Sequence, residues 1–168
     1  DSLGVARLLA SKIRESELDL VFTGRSAADD DNSQVSQMIA EFLAWPHVTM
    51  VSKFSIEADG KKAKVERDVE GGTKEIWETD LPAVIAATKG LNEPRYASLK
   101  GIMQAKSKPI TEVAVAAAGI AEAELASKVV WKNYILPPER KTGKVFKDNP
   151  LKAVSEVVRL LREEAKVI

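Results

Sequence analysis

The segment LDLVFTG, residues 18 to 24, constrains the fold more than any other stretch of this chain. Leu18, Leu20, Val21 and Phe22 form a short, nearly continuous apolar run that stops at a glycine. An amphipathic helix precedes it, because Leu3, Ala6, Leu9, Ala10 and Ile13 repeat at the spacing of one helix face. A second helix follows from about Ser33 to Ala44, with Val35, Met38, Ile39 and Phe42 on one side. Helix, buried strand, glycine and helix is the pattern of a parallel sheet covered on both faces. The expected class is α/β. Trp45-Pro46 ends the second helix, since the residue before proline is disfavoured in the α region.

The texture then changes. Val48, Met50, Ser52, Phe54 and Ile56 alternate with other residues, as in a half-buried strand. DGKK at 59 to 62 signals a turn, Ala63, Val65 and Val69 continue as a strand, and EGG at 70 to 72 signals another turn. KEIWE and LPAVIAAT are expected to complete an antiparallel set, with Pro82 at a strand start or edge. Residues 89 to 109 lack a strong period and read as an exposed loop with a short helix around Ser98 to Lys106. The alanine-rich stretch 114 to 126 has helical propensity, interrupted by Gly119 and β-branched residues. ILPPERKTGKVF reads as an extended, exposed linker. Asn149 and Pro150 then make a good N-cap and first position for a terminal helix lined by Leu151, Val154, Val158 and Leu161.

Composition removes several classes of function. Acidic and basic residues balance at 25 each, so no net charge favours nucleic acid or anionic membrane. There is no cysteine, which rules out disulfides and thiolate metal sites. The single histidine, His47, rules out a histidine metal cluster and reads as a surface or capping residue. No apolar run approaches the length of a membrane span. The chain opens at Asp1-Ser2 directly on a helical pattern, with no secretory or transit features. It reads as a domain lacking its N-terminal part.

Two segments carry candidate chemistry. The first is the loop GRSAADDDNSQVSQM, residues 24 to 38. Its three aspartates, Asp29 to Asp31, admit three readings. A metal site needs converging oxygen ligands, and consecutive residues point apart with no EF-hand spacing. A solvated loop that caps a helix is the plainest reading. The third is nucleotide binding, because a loop between a parallel strand and a helix N-terminus is where α/β proteins hold phosphate. The backbone N–H groups of Ser33, Gln34 and Val35 would then hold it. No GxGxxG or Walker pattern accompanies this loop.

The second candidate is the segment 91 to 109. Leu91, Leu99, Ile102 and Met103 stand among Arg95, Lys100, Lys106 and Lys108. Either the loop tucks its own leucines under itself, or it presents an apolar anchor with a charged rim to a protein partner.

Taken together, DLVFTGRSAADDDNSQVSQMIAEFLAWP, VERDVEGG, LPAVIAAT, LNEPRYASLKGIMQAK and PPERKTGKVF resemble the β subunit of electron-transfer flavoprotein, in order and over nearly the whole chain. The resemblance implies a parallel-sheet nucleotide-binding domain of the adenine-nucleotide α-hydrolase-like type, with antiparallel strands. It places that domain at residues 1 to 109, including a recognition loop at 89 to 109. Residues 110 to 168 would be an extended arm and terminal helix packing on an α subunit. It implies a heterodimer with FAD held mostly by that α subunit, electrons received from acyl-CoA dehydrogenases, and delivery to a membrane quinone oxidoreductase. The location would be the mitochondrial matrix or the bacterial cytoplasm. This subunit would bury a structural AMP or, in an electron-bifurcating branch, a second FAD. Gly24, Ala27 and Asp30 would contact the nucleoside, within a loop that includes Arg25 and runs on to Ser33, Gln34 and Val35. The loop 89 to 109 would dock the dehydrogenase through Leu99, with Arg95, Tyr96, Ile102 and Met103 around it, and Asp68 would face the α subunit.

Departures at five positions qualify this picture. Val35 stands where many members have threonine, Asp68 where glutamate is usual, and Trp77 where an aliphatic residue is usual. Gln104 and Ser107 stand where animal members carry lysines. Two other readings are a stand-alone nucleotide-binding regulatory module without redox role and an assembly subunit derived from the same family.

Overall fold

A computed structural model describes residues 1–139, 142–147 and 149–168. Two compact units divide the chain, Asp1–Val130 and Trp131–Ile168. In the first unit, helix α1 (Ser2–Arg14) leads to strand β1 (Leu20–Gly24) and helix α2 (Val35–Leu43). Strands β2 (His47–Ile56), β3 (Lys62–Asp68) and β4 (Lys74–Asp80) follow as consecutive hairpins, and β5 (Ala83–Ala87) closes the sheet. The helix α3 (Leu99–Lys106) and a single turn α4 (Glu122–Leu125) come after it.

The strands lie in the order β1-β5-β2-β3-β4. β1 and β2 both run parallel to β5, while β2–β3 and β3–β4 are antiparallel. The α/β expectation therefore holds, and one assignment is corrected. LPAVIAAT does not extend the antiparallel set. It supplies the central strand of the parallel half. Ala83, Val84, Ile85 and Ala86 are completely buried, and an uninterrupted apolar run is what a strand covered on both faces requires. Pro82 falls directly before this strand, where its missing N–H removes no ladder bond.

The side chains of β5 divide the core in two. Ala83 and Ile85 pack with Val48, Val51 and Val65 on one face, with Leu20, Phe54 and Leu91 beside them. Val84 points to the other face, where Ala6 of α1 and Ile39 and Ala40 of α2 cover it. Phe22 meets Phe54 edge to face, with ring centroids 5.0 Å apart.

Local chemistry sets the helix ends. Asp1 caps α1 by accepting from the Gly4 N–H at 2.9 Å, and Lys12 and Arg14 occupy the last turn, where the helix dipole favours cations. Helix α2 ends at Ala44, which turns left-handed at φ 55° ahead of Trp45-Pro46. Gly60, with φ 68°, sits in the predicted DGKK turn.

His47 departs from expectation. It is neither a surface nor a capping residue but the first residue of β2, half-buried, with Nε2 lacking a partner among the described residues. Of the tryptophans, Trp45 packs on the α1–α2 cluster, whereas Trp77 is exposed on β4. The alanine-rich stretch is neither one helix nor fully extended. It forms a short 3-10 turn at Val115–Ala118, breaks at Gly119 with φ 66°, and turns once more in α4. This stretch lies against α1 of its own chain through hydrogen bonds from Arg7 and Ser11.

In the second unit, α5 (Pro150–Glu163) begins where predicted, with Asn149 accepting from the Leu151 N–H at 2.9 Å. Leu151, Val154, Val158 and Leu161 remain exposed on it. The linker expected in ILPPERKTGKVF has no regular structure at 135–139 and 142–146, and its Arg140 and Lys141 lie outside the described residues.

Candidate functional site

The loop between β1 and α2 closes on its own side chains. Ser26 Oγ donates to Asp31 Oδ1 at 2.6 Å, and an Arg25 guanidinium nitrogen reaches the same carboxylate at 3.2 Å. The Ser26 hydroxyl, and then the Arg25 charge, hold the Asp31 carboxyl below the usual carboxylate range. Asp30 engages Asn32 twice, accepting from its backbone N–H at 3.1 Å and from its amide nitrogen at 2.8 Å. The Asp31 N–H reaches back to the Ala27 carbonyl. Asp31 and Ser33 adopt left-handed backbone at φ 48° and 51°, which turns the chain sharply into α2. Aspartate tolerates that region better than most residues because it can hydrogen-bond locally.

The acid cluster is engaged within the loop itself. Asp30 and Asp31 serve as acceptors for neighbouring donors, and among the described residues no three acidic or histidine side chains converge as metal ligands.

Behind the loop lies a cleft of about 370 Å³, within the rough range of 300–1,000 Å³ for small-molecule sites. The structure brings every predicted loop residue to its wall: Gly24, Arg25, Ala27 and Asp30 on one stretch, Ser33, Gln34 and Val35 on the next. Ile39, and Leu9 from α1, add apolar surface. The first turn of α2 faces this cleft. Its N-cap is Gln34, whose side chain makes no capping bond. The free N–H groups of a helix start carry partial positive charge and favour an anion. The helix begins at Val35, so its first-turn amides are those of Val35, Ser36 and Gln37, slightly later than the sequence suggested.

Five wall residues escaped the sequence reading, Ser36 and Ile39 of α2 and three others. Ser2 and Leu9 belong to α1, and nothing local in the sequence ties that helix to the loop. Thr23 is the third. Its Oγ1 is buried without a hydrogen-bond partner among the described residues. An orphaned hydroxyl at the end of an apolar strand is a usable signal, because a buried polar atom calls for a partner. The cleft thus offers helix amides and apolar wall, a set that fits a small ligand with an anionic group and an apolar part.

The second candidate set lies elsewhere. Tyr96 is 98% exposed and Leu99 76%, and Ile102 and Met103 are exposed on α3. Arg95 is exposed beside them. Ser98 caps α3 by accepting from the Gly101 N–H at 3.1 Å. The two leucines of the segment behave differently, since Leu91 packs onto the core and Leu99 does not. Asp68 stands apart, at the end of β3, where Ser52 Oγ donates to it at 2.9 Å and Lys74 Nζ lies 3.6 Å away.

Sheet order, helix cover and the cleft at the carboxyl end of β1 define an α/β domain of the open-sheet class, whose ligands bind at the strand ends. The electron transfer flavoprotein domain matches residues 1–118, and the chain belongs to that family. It is 39% identical over 168 residues to the electron transfer flavoprotein subunit beta of Bacillus subtilis, covering 100% of this chain and 64% of the relative. The mitochondrial subunit beta of Arabidopsis thaliana is 39% identical over 166 residues, covering 99% of this chain and 62% of the relative. The subunit beta of Mus musculus is 44% identical over 146 residues, covering 85% and 55% respectively. The chain thus spans less than two thirds of the length of these relatives.

Proposed function

We propose that this chain acts as the β subunit of a heterodimeric electron-transfer flavoprotein. In this reading it is an electron-carrier subunit with no substrate turnover of its own. Its fold is of the adenine-nucleotide α-hydrolase-like type. The cleft behind Gly24 to Val35 holds AMP as a structural ligand, with phosphate on the amides at the start of α2 and the nucleoside toward Gly24, Ala27 and Asp30. An α subunit carries most of the FAD, which supplies the redox chemistry when bound. Acyl-CoA dehydrogenases are the electron donors and dock on the loop 89 to 109, with Leu99 as anchor and Arg95, Tyr96, Ile102 and Met103 around it. A quinone oxidoreductase receives the electrons. The compartment is the mitochondrial matrix or the bacterial cytoplasm; the relative from Arabidopsis is named mitochondrial and another relative is from the bacterium Bacillus subtilis.

The observation that carries this reading is the cleft itself. The predicted loop residues converge on one cavity at the start of α2, in a chain matched along its length by subunits of that name. The exposure of Leu99 supports the docking role, since an apolar side chain left in water gains by burial against a partner. Asp68 is engaged within the chain by Ser52 and Lys74, so a bond to the α subunit would have to compete with them.

Purification of the full-length protein with its partner, followed by extraction of small molecules, tests the reading. A yellow heterodimer yielding FAD and AMP is the expected result. Flavin in place of AMP would assign the cleft to a second FAD. A colourless protein without a flavin-bearing partner would leave the non-redox nucleotide-binding or assembly role.

A further inference from the structure

Helix α1 does two jobs on two faces. One face packs Ala6 against α2 and β5. The other carries residues 113 to 128 of the same chain, and every polar contact made there by an α1 side chain reaches that segment through its backbone or a serine hydroxyl. Arg7 donates to the Glu124 carbonyl, and Ser11 Oγ donates to the Ala118 carbonyl at 2.9 Å. Asp1 Oδ2, on the residue that caps α1, accepts from the Lys128 N–H at 2.6 Å and from Ser127 Oγ at 3.4 Å. Gly4 adds an independent observation. A Cβ built on it would lie 3.2 Å from the Leu125 carbonyl oxygen. Glycine inside a helix is unfavourable relative to alanine, and close approach of another backbone is a reason to keep it.

The seated segment is nonetheless lightly held. None of its side chains is buried, and only Ala118, Ile120 and Leu125 are even half-covered. It contributes nothing to either core cluster. Its helical turns are short and broken by Gly119. Few buried apolar contacts and exposed backbone hydrogen bonds mark the regions that open first.

We propose that residues 113 to 128 form a releasable strap on α1, giving the chain two arm lengths. Seated, the strap fixes the point at which the chain leaves the first unit, near Val130. Released, it frees the chain from residue 113 onward, a further extended reach of about 50 Å. The hooks read mainly backbone, with the Ser127 hydroxyl the one side chain among them, so reseating depends little on the strap's sequence. Gly4 and Ser11 set the balance between the two states. The inference is independent of the electron-carrier reading.

Hydrogen exchange by mass spectrometry on the full-length protein tests it. Amides of Ala117, Glu124 and Ala126 are hydrogen-bonded only within the strap, so they report its local order. In the unaltered protein they should exchange faster than those of β5. Ser11→Ala should accelerate strap exchange about fivefold, the loss expected for one neutral hydrogen bond, with α1 and β5 unchanged. Gly4→Ala should also accelerate it, even though alanine favours the helix, and that opposition separates strap seating from helix stability. If Gly4→Ala disturbs the sheet, Ser11→Ala alone decides. Strap amides that exchange at the β5 rate, or stay unchanged in Ser11→Ala, would make the segment part of the cooperative core and overturn the proposal.

Discussion

Two loops leave the same end of the sheet and solve opposite problems. Gly24 and Ala87 are paired neighbours in parallel strands, so the segments after β1 and after β5 start side by side. The first turns its polar side chains on one another, with Arg25, Ser26 and Asp31 joined and Asp30 bonded to Asn32. The second keeps one leucine, Leu91, against the core and leaves Tyr96, Leu99 and Met103 in solvent. Topology gives both the same address, and side-chain chemistry separates them. A self-bonded loop over a helix start is shaped before any ligand arrives. A segment with bare apolar side chains is completed only by another surface.

The largest effect that tests this contrast is at Leu99. Leu99→Ala should lower the efficiency of reduction by an acyl-CoA dehydrogenase about 10- to 100-fold, as loss of an interface anchor does. Thermal stability and flavin content should stay unchanged. A matching loss of stability would make Leu99 a folding residue and erase the contrast. Leu91→Ala should do the reverse, costing about 1–2 kcal/mol in denaturant unfolding because its side chain packs against the β5 core cluster while only partly buried. Reduction by the dehydrogenase should be little affected.

A smaller effect is expected in the first loop. Val35→Thr places a hydroxyl on the cleft wall and should tighten AMP binding by up to about tenfold, the worth of one hydrogen bond, by calorimetric titration. Unchanged affinity would put the phosphate elsewhere than the first turn of α2.

The smallest effects concern pH. Asp31 has a lowered carboxyl pKa, so its contribution to loop order is present above the usual value of 3.8 and is lost as pH falls through the folded value. Hydrogen exchange in residues 25 to 33 should therefore rise only in strong acid. His47 acts earlier. Burial first, and the Arg67 charge second, lower its pKa below 6.5, so the fold favours the neutral ring. Its contribution is present above about pH 6.5 and is lost as pH falls further. The melting temperature should drop between neutral pH and about pH 5, and His47→Gln should flatten that drop.

How far the sequence carries depends on how local each signal is. The β1–loop–α2 unit was legible because an apolar run, a glycine and a helical period sit next to each other in the chain. The cap at Asn149 was legible for the same reason. The placement of β5 was not, because its partners in β1 lie far back along the chain and the hairpins before it suggested continuation. Its unbroken AVIA run held the clue, since an antiparallel strand with one wet face alternates. The seat of residues 113 to 128 on α1 was also hidden. Alanines carry no period, and the hooks grip carbonyls, which every residue has. Within the cleft, Ser33, Gln34 and Val35 were legible from their place before a helix and Gly24, Ala27 and Asp30 from the family resemblance, whereas Ser2, Leu9 and Thr23 reach it only through the packing of α1 and the end of β1.

β5 comes last of the five strands along the chain yet lies between β1 and β2 in space. The hairpins of β2, β3 and β4 join near neighbours and can form early, because closing short loops costs little entropy. Among the described residues β1 pairs only with β5, so that half of the sheet waits for residues 83 to 87. In folding, then, the meander is the quick part and the parallel half is the slow one, as long-range strand pairing generally is. Until that insertion Val84 and Ile85 lack their cover, and α1, β1 and the hairpins stand as a sheet still waiting for its middle.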